Sequence, residues 1–180
     1  GYRYFGMRAY QDLISDTVTL PIRRLNIPPR DHSSVTGSEF MKRINDLSRE
    51  EREKEIYREV ASGNIPGFLR ETVTLRAVFH DLNDIPHMLE YEVMPDYLAI
   101  GSDDDYCRIP MSPGTARRLA DLFGASLLTA KLSDHIWSVA EVKPEPFFYR
   151  PVGNENEKAA KFFEHNEQIE RQLADAGWRP

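Results

Sequence analysis

The chain has a single cysteine, Cys107, among its 180 residues. No internal disulfide can form, and neither a CxxC motif nor a cysteine-based zinc ribbon is available. It also lacks any run of about 20 apolar residues, the length needed to cross a bilayer. A basic excess is missing too, since 29 acidic residues face 23 basic ones for a formal net charge of -6. That balance argues against sequence-independent attraction to nucleic acid or anionic lipid, both of which need a concentrated basic surface. The patterns GxSxG, SxxK, GxGxxG, GxxxxGK and HExxH are all absent, which weighs against hydrolases, nucleotide-binding enzymes and metalloproteases built on those devices. Gly124-Ala125-Ser126 begins like a nucleophile elbow but has no closing glycine.

What is present is the composition of a water-soluble globular protein, with 41% apolar and 29% charged residues. A chain of this length fits one domain and one substantial core. Residues 1–35 read as an extended lead-in: Tyr2, Tyr4, Phe5 and Tyr10 precede the β-rich run Thr17 to Leu20, and prolines 21, 28 and 29 then stop regular pairing. Thr36 with Glu39 fits a capping box, and Phe40, Met41, Ile44 and Leu47 recur at helical spacing. Ser48 with Glu51 repeats that signal for a second helix, which carries Ile56, Tyr57, Val60 and Ala61 inward and stops at Gly63 and Asn64. Its charged run SREEREKE reads as a solvated face.

Glu71 to His80 is a strand by its β-branched content, HDLNDIPH is a loop, and Met88–Val93, Tyr97–Ile100 and Tyr106–Ile109 continue as an antiparallel meander. Ser112-Pro113 marks the start of a helix ending at Gly124; a second, from Thr129, turns Leu132, Ile136, Val139 and Ala140 inward to form a helical hairpin with it. Residues 36–143 thus form an α+β core, a small, mainly antiparallel sheet packed against several helices. Residues 144–180 follow as a proline-rich connector, anchored by Phe147, Phe148 and Tyr149, and a polar helix from Glu155 to Ala176. The stripe on that helix, Ala159, Phe162, Ile169 and Leu173, is thin.

Three groups of residues carry chemistry that a site would use. The acidic turn Asp103, Asp104 and Asp105 has the carboxylates of an acid, a base or a hard-cation site. It is not an EF-hand, because the sixth position from Asp103 is Arg108 and the twelfth is Gly114. Aspartates beside glycine also make turns by bonding their own backbone, and that reading stands next to the catalytic one. His80, Asp81, Asp84 and His87 supply ligand types that zinc or a first-row metal takes, although their spacing matches no metal motif and turn-forming aspartates flanked by surface histidines explain them better. Cys107 shares a strand face with Ile109, which points to a buried inert thiol rather than a nucleophile paired with His135. His135, beside Asp134 and one turn from Lys131, is a further acid–base candidate.

The segments TGSEFMKRI, GNIPGFLRE, DYLAIGSDDDYCRIPMSPGTARRLADLFG and LLTAKLSDHIW together resemble a family of uncharacterised exported bacterial proteins, over residues 36 to 180. No activity is assigned to that family, so the resemblance transfers no catalytic residue. It implies an extracytoplasmic setting and a fold continuing past ADAGWRP, where further groups would complete a site. The leading expectation is therefore a hydrolase-like domain acting on envelope or carbohydrate material through Asp103, Asp104 and Asp105. The competing one is a non-catalytic binding or assembly module that docks a glycan, cell-envelope or protein partner through exposed aromatics.

Overall fold

The computed structural model describes residues 5–7, 25–147 and 158–178. Tyr2, Tyr4, Tyr10, the run Thr17 to Leu20, Phe148 and Tyr149 lie outside the described residues. In chain order the elements are β1 (Phe5–Met7), α1 (Gly37–Ile44), α2 (Arg49–Ala61), a 3-10 turn (Gly67–Arg70), β2 (Val73–His80), β3 (Pro86–Val93), β4 (Ala99–Gly101) and β5 (Tyr106–Arg108). Then come α3 (Pro113–Phe123), β6 (Ser126–Leu127), α4 (Ala130–Val139) and α5 (Ala159–Asp175). The class is α+β.

Helix starts follow the local chemistry. Both capping boxes form: Thr36 and Glu39 satisfy each other's backbone N–H at α1, and Ser48 and Glu51 do so at α2. Ser112 accepts from the Thr115 N–H, Pro113 opens α3, and Gly124 closes it in the left-handed region at φ 73°. The charged face of α2 is only partly solvated. Glu53 reaches across to accept from the Ser112 N–H at 2.9 Å and its hydroxyl at 2.8 Å, so α2 holds the start of α3.

The strands do not form one meander. β2 and β3 pair over eight residues from Val73↔Val93 to His80↔Pro86, and the order of their sheet is β2-β3-β1-β6, all antiparallel. β4 and β5 make a separate two-stranded sheet. The break comes at Pro95-Asp96: proline has no N–H to donate to a ladder, and Asp96 accepts from the Tyr97 N–H at 2.6 Å and turns toward Arg108. β1 occupies the edge of β3 that a meander would have used.

The expected hairpin of α3 and α4 is also divided, because Ser126 and Leu127 between them are drawn into the first sheet opposite Gly6 and Phe5. α3 consequently buries Ala116, Leu119, Ala120 and Phe123 in the main core with α1, α2, β4 and β5. α4 packs Leu132 and Ile136 against Ala77, Tyr91 and Val93 of the first sheet, a second and smaller cluster. Val139, expected inward, is 46% exposed.

Contact between the main elements is close enough to dictate sequence. A Cβ on Gly37 would sit 2.5 Å from the Tyr106 backbone, so only glycine lets α1 abut β5. Across from it, Gly101 has φ 130° and donates to the Asn64 carbonyl. Asn64 is fully buried yet satisfied: Arg30 donates to its Oδ1 at 2.9 Å, and its Nδ2 donates to the Val35 carbonyl and to Glu59. α5 starts at Ala159 rather than Glu155 and lies against α1 and β5.

Candidate functional site

The acidic turn is placed by the β4–β5 hairpin, and two of its three carboxylates bond different helix starts. Asp105 accepts from the Ser38 N–H at 2.9 Å and the Ser38 hydroxyl at 2.6 Å, while its carbonyl takes the Gly37 N–H at 2.8 Å. It therefore sits on the positive end of α1. Burial would raise its carboxyl, but the hydrogen bonds from Ser38 and Thr36 outweigh that and hold it below the ordinary value. Asp103 accepts from the Phe68 N–H at 3.1 Å, at the start of the 3-10 turn. Asp104 is exposed. Neither of the two hollows described below is lined by any of the three.

The histidines lie elsewhere. His135, on α4, shares a 2.6 Å hydrogen bond with the Tyr91 hydroxyl and sits edge-on to the Phe79 and Tyr91 rings, so it fastens α4 to the sheet. In the β2–β3 turn, Asp81 accepts from the Asn83 and Ile85 N–H groups at 2.8 and 2.9 Å, and these bonds hold its carboxyl low. His87 lies 3.4 Å from Asp81; His80 ends β2; Asp84 takes the left-handed conformation that the turn needs, at φ 60°. Among the described residues no group of three or more His, Cys, Asp or Glu side chains is disposed to hold a metal ion. Cys107 is fully buried, and burial pushes its thiol up to about 12, which removes the thiolate a nucleophile needs.

Two features that the sequence reading passed over stand out instead. The first is a buried charged set around Arg108, which is 8% exposed. Its Nε donates to both Asp96 oxygens at 3.1 and 3.0 Å, its Nη1 donates to Asn166 at 3.0 Å and to Glu170, and its Nη2 donates to Asp96. Burial alone would lower the guanidinium, but Asp96 and then Glu170 outweigh it, so the charge is held firmly. Tyr106 completes the set by donating to Glu170 at 2.9 Å.

Asn166 also grips the outer edge of β5. Its Oδ1 accepts the Arg108 N–H at 3.0 Å and its Nδ2 donates to the Tyr106 carbonyl at 3.2 Å. It occupies the middle of the α5 stripe, between Phe162 and Ile169, which explains why the apolar stripe is thin: its central position is polar and buried.

The second feature is a cleft of about 490 Å³. It lies between the Val73 and Val93 end of the first sheet, α4, the segment 140–147 and the face of α5 formed by His165, Gln168, Ile169 and Gln172. That face has the i, i+3, i+4, i+7 spacing of one helix side. Both tryptophans of the chain, Trp137 and Trp178, line the cleft, as do Tyr97 and Phe147. Trp137, Val139 and Phe147 remain 49%, 46% and 42% exposed at its rim. Segment 140–147 is clipped to α5 by Gln172, whose Oε1 accepts the Glu145 N–H at 2.6 Å and whose Nε2 donates to the Glu145 carbonyl at 3.2 Å. A smaller hollow of about 120 Å³ shares Tyr97, His165 and Ile169 with the cleft and reaches Arg108 and Asn166.

The volume falls in the roughly 300–1,000 Å³ range of ligand sites, and an apolar lining with a few polar groups is their usual make-up. The lining offers aromatic faces, amides, carboxylates and the imidazole of His165. No protein-family model, no curated protein and no solved structure matches the chain.

Proposed function

We propose that the protein is a non-catalytic binding module whose cleft between the first sheet, α4 and α5 receives a largely apolar partner. The observation that carries this reading is the coincidence of a cleft of about 490 Å³ with aromatic and aliphatic side chains left exposed at its rim. A hydrolytic role through Asp103, Asp104 and Asp105 has less to recommend it, because two of the three carboxylates are engaged with helix starts and none borders the cleft. The family resemblance of residues 36 to 180 favours a partner met at the cell envelope.

Because both tryptophans line the cleft, intrinsic fluorescence reports its occupancy directly. The test is titration with the neutral apolar probe N-phenylnaphthylamine, read by tryptophan quenching and by probe emission. The wild-type protein is expected to bind saturably. Val139→Arg, at an exposed rim position that tolerates charge, is expected to abolish binding while leaving the thermal melt within a few degrees. Equal binding by both proteins would remove the cleft from consideration.

A further inference from the structure

We infer that the occupant of the cleft is an extended, proline-containing peptide with basic side chains, and that Gln168 hydrogen-bonds its backbone; this rests on the cleft being the docking site. α5 already holds two extended stretches of its own chain in one way. Asn166 takes the N–H of Arg108 and the C=O of Tyr106, both on the outer edge of β5. Gln172 takes the N–H and the C=O of Glu145.

A primary amide presents an acceptor and two donors, so it can serve both backbone groups on one side of an extended strand, as a neighbouring strand would. Gln168 stands one helical turn before Gln172, half-buried in the cleft wall. Among the described residues its amide has no hydrogen bond. It is the third amide of the same helix, facing the cleft with no strand to hold among the described residues.

The lining selects the rest of the ligand. Glu141 and Glu145 border the cleft; Asp96 borders it too but is already paired with Arg108, and besides His165 no basic side chain lines it among the described residues. Lys143 of the same segment donates to the Ser138 carbonyl, and Arg108 in the adjoining hollow is committed to Asp96 and Glu170. A cationic side chain entering here meets carboxylates and aromatic faces together, a combination that favours Lys or Arg on the partner. The wall itself carries Pro144-Glu145-Pro146, a proline-flanked residue already held by an α5 amide beside aromatic rings. Aromatic-lined grooves suit proline-rich segments because these are extended before binding and lose little conformational freedom.

The test uses short synthetic proline-rich peptides bearing lysine and arginine, and their glutamate-substituted counterparts, titrated by calorimetry and tryptophan fluorescence with N-phenylnaphthylamine in competition. The basic peptides are expected to bind and displace the probe, with affinity falling as salt rises. Gln168→Ala is expected to weaken them roughly fivefold to tenfold, the loss of about one net backbone hydrogen bond, and to weaken them more than it weakens the probe, which carries no peptide backbone. Alanine is the better helix former, so α5 is retained. Glu141→Gln with Glu145→Gln is expected to flatten the salt dependence. If the probe binds but no peptide does, or the acidic peptides bind as well as the basic ones, the inference fails and the cleft stands. If the probe does not bind, the cleft reading fails first.

Discussion

Arg108→Met is the sharpest test of how α5 is held. Methionine keeps an unbranched apolar stem but removes every side-chain donor that Asp96, Asn166 and Glu170 now use, leaving only the Arg108 backbone N–H on Asn166. The two carboxylates left behind are not equivalent, since the side chain of Asp96 is 13% exposed and that of Glu170 is 36% exposed. An unpaired charge as enclosed as Asp96 places the loss near the low end of the roughly 3–5 kcal/mol expected on breaking a buried pair. Glu170 can turn to solvent, so its share is that of a surface pair, under about 1 kcal/mol. The sum is about 3–4 kcal/mol, which for a domain of this size lowers Tm by roughly 6–16 °C. Urea unfolding at neutral pH reads the loss as a shift in midpoint at constant slope. Adding Asp96→Asn to Arg108→Met is expected to recover much of it, because the stranded charge is gone, whereas Glu170→Gln alone costs about 1 kcal/mol or less. A cost below about 1 kcal/mol for Arg108→Met, or no recovery in the double variant, would refute the reasoning.

Two further outcomes follow from groups of the β4–β5 hairpin. Asp105→Asn is expected to cost about 2 kcal/mol at neutral pH through loss of charge-assisted bonds to Ser38 at the start of α1. Because the folded carboxyl lies below its ordinary value of 3.8, its contribution is complete above that value and is lost as pH falls through the folded pKa. The acid limb of a pH–stability curve should therefore be shallower in the variant. Cys107, with its thiol raised to about 12 by burial, is expected to resist aromatic disulfide reagents in native buffer and to react at once in denaturant.

The helix starts were legible because they are written in residues three apart: Thr36 with Glu39, Ser48 with Glu51, and Ser112 with Pro113 each satisfy their own backbone. The α+β class and the β2–β3 pairing were legible for a similar local reason, the β-branched content of Val73 to His80 and the alternation of Met88 to Val93. Division of the strands into two sheets was not, since it depends on β1 and β6, short pieces with little pattern that pair across 120 residues of chain, Phe5 with Leu127 and Gly6 with Ser126. The acidic turn drew notice by composition, yet Asp105 and Ser38 find each other only through folding. Asn166, Gln168 and Gln172 looked like the polar side of an exposed helix. Their meaning depends on which backbone edge faces them, and residue type alone does not carry that.

The grip of Asn166 on β5 also orders events in time. The bonds from Asn166 to Tyr106 and Arg108 join residues 60 and 58 positions apart, so they form only after the chain has closed a long loop. Within the main core, α1, α2 and α3 carry their own local capping signals, whereas α5 joins it through Ala159, Phe162 and Phe163. α5 therefore docks after the β4–β5 hairpin that it holds, and the Arg108 amide proton, covered by a side chain rather than by a strand, is exposed to exchange when α5 opens.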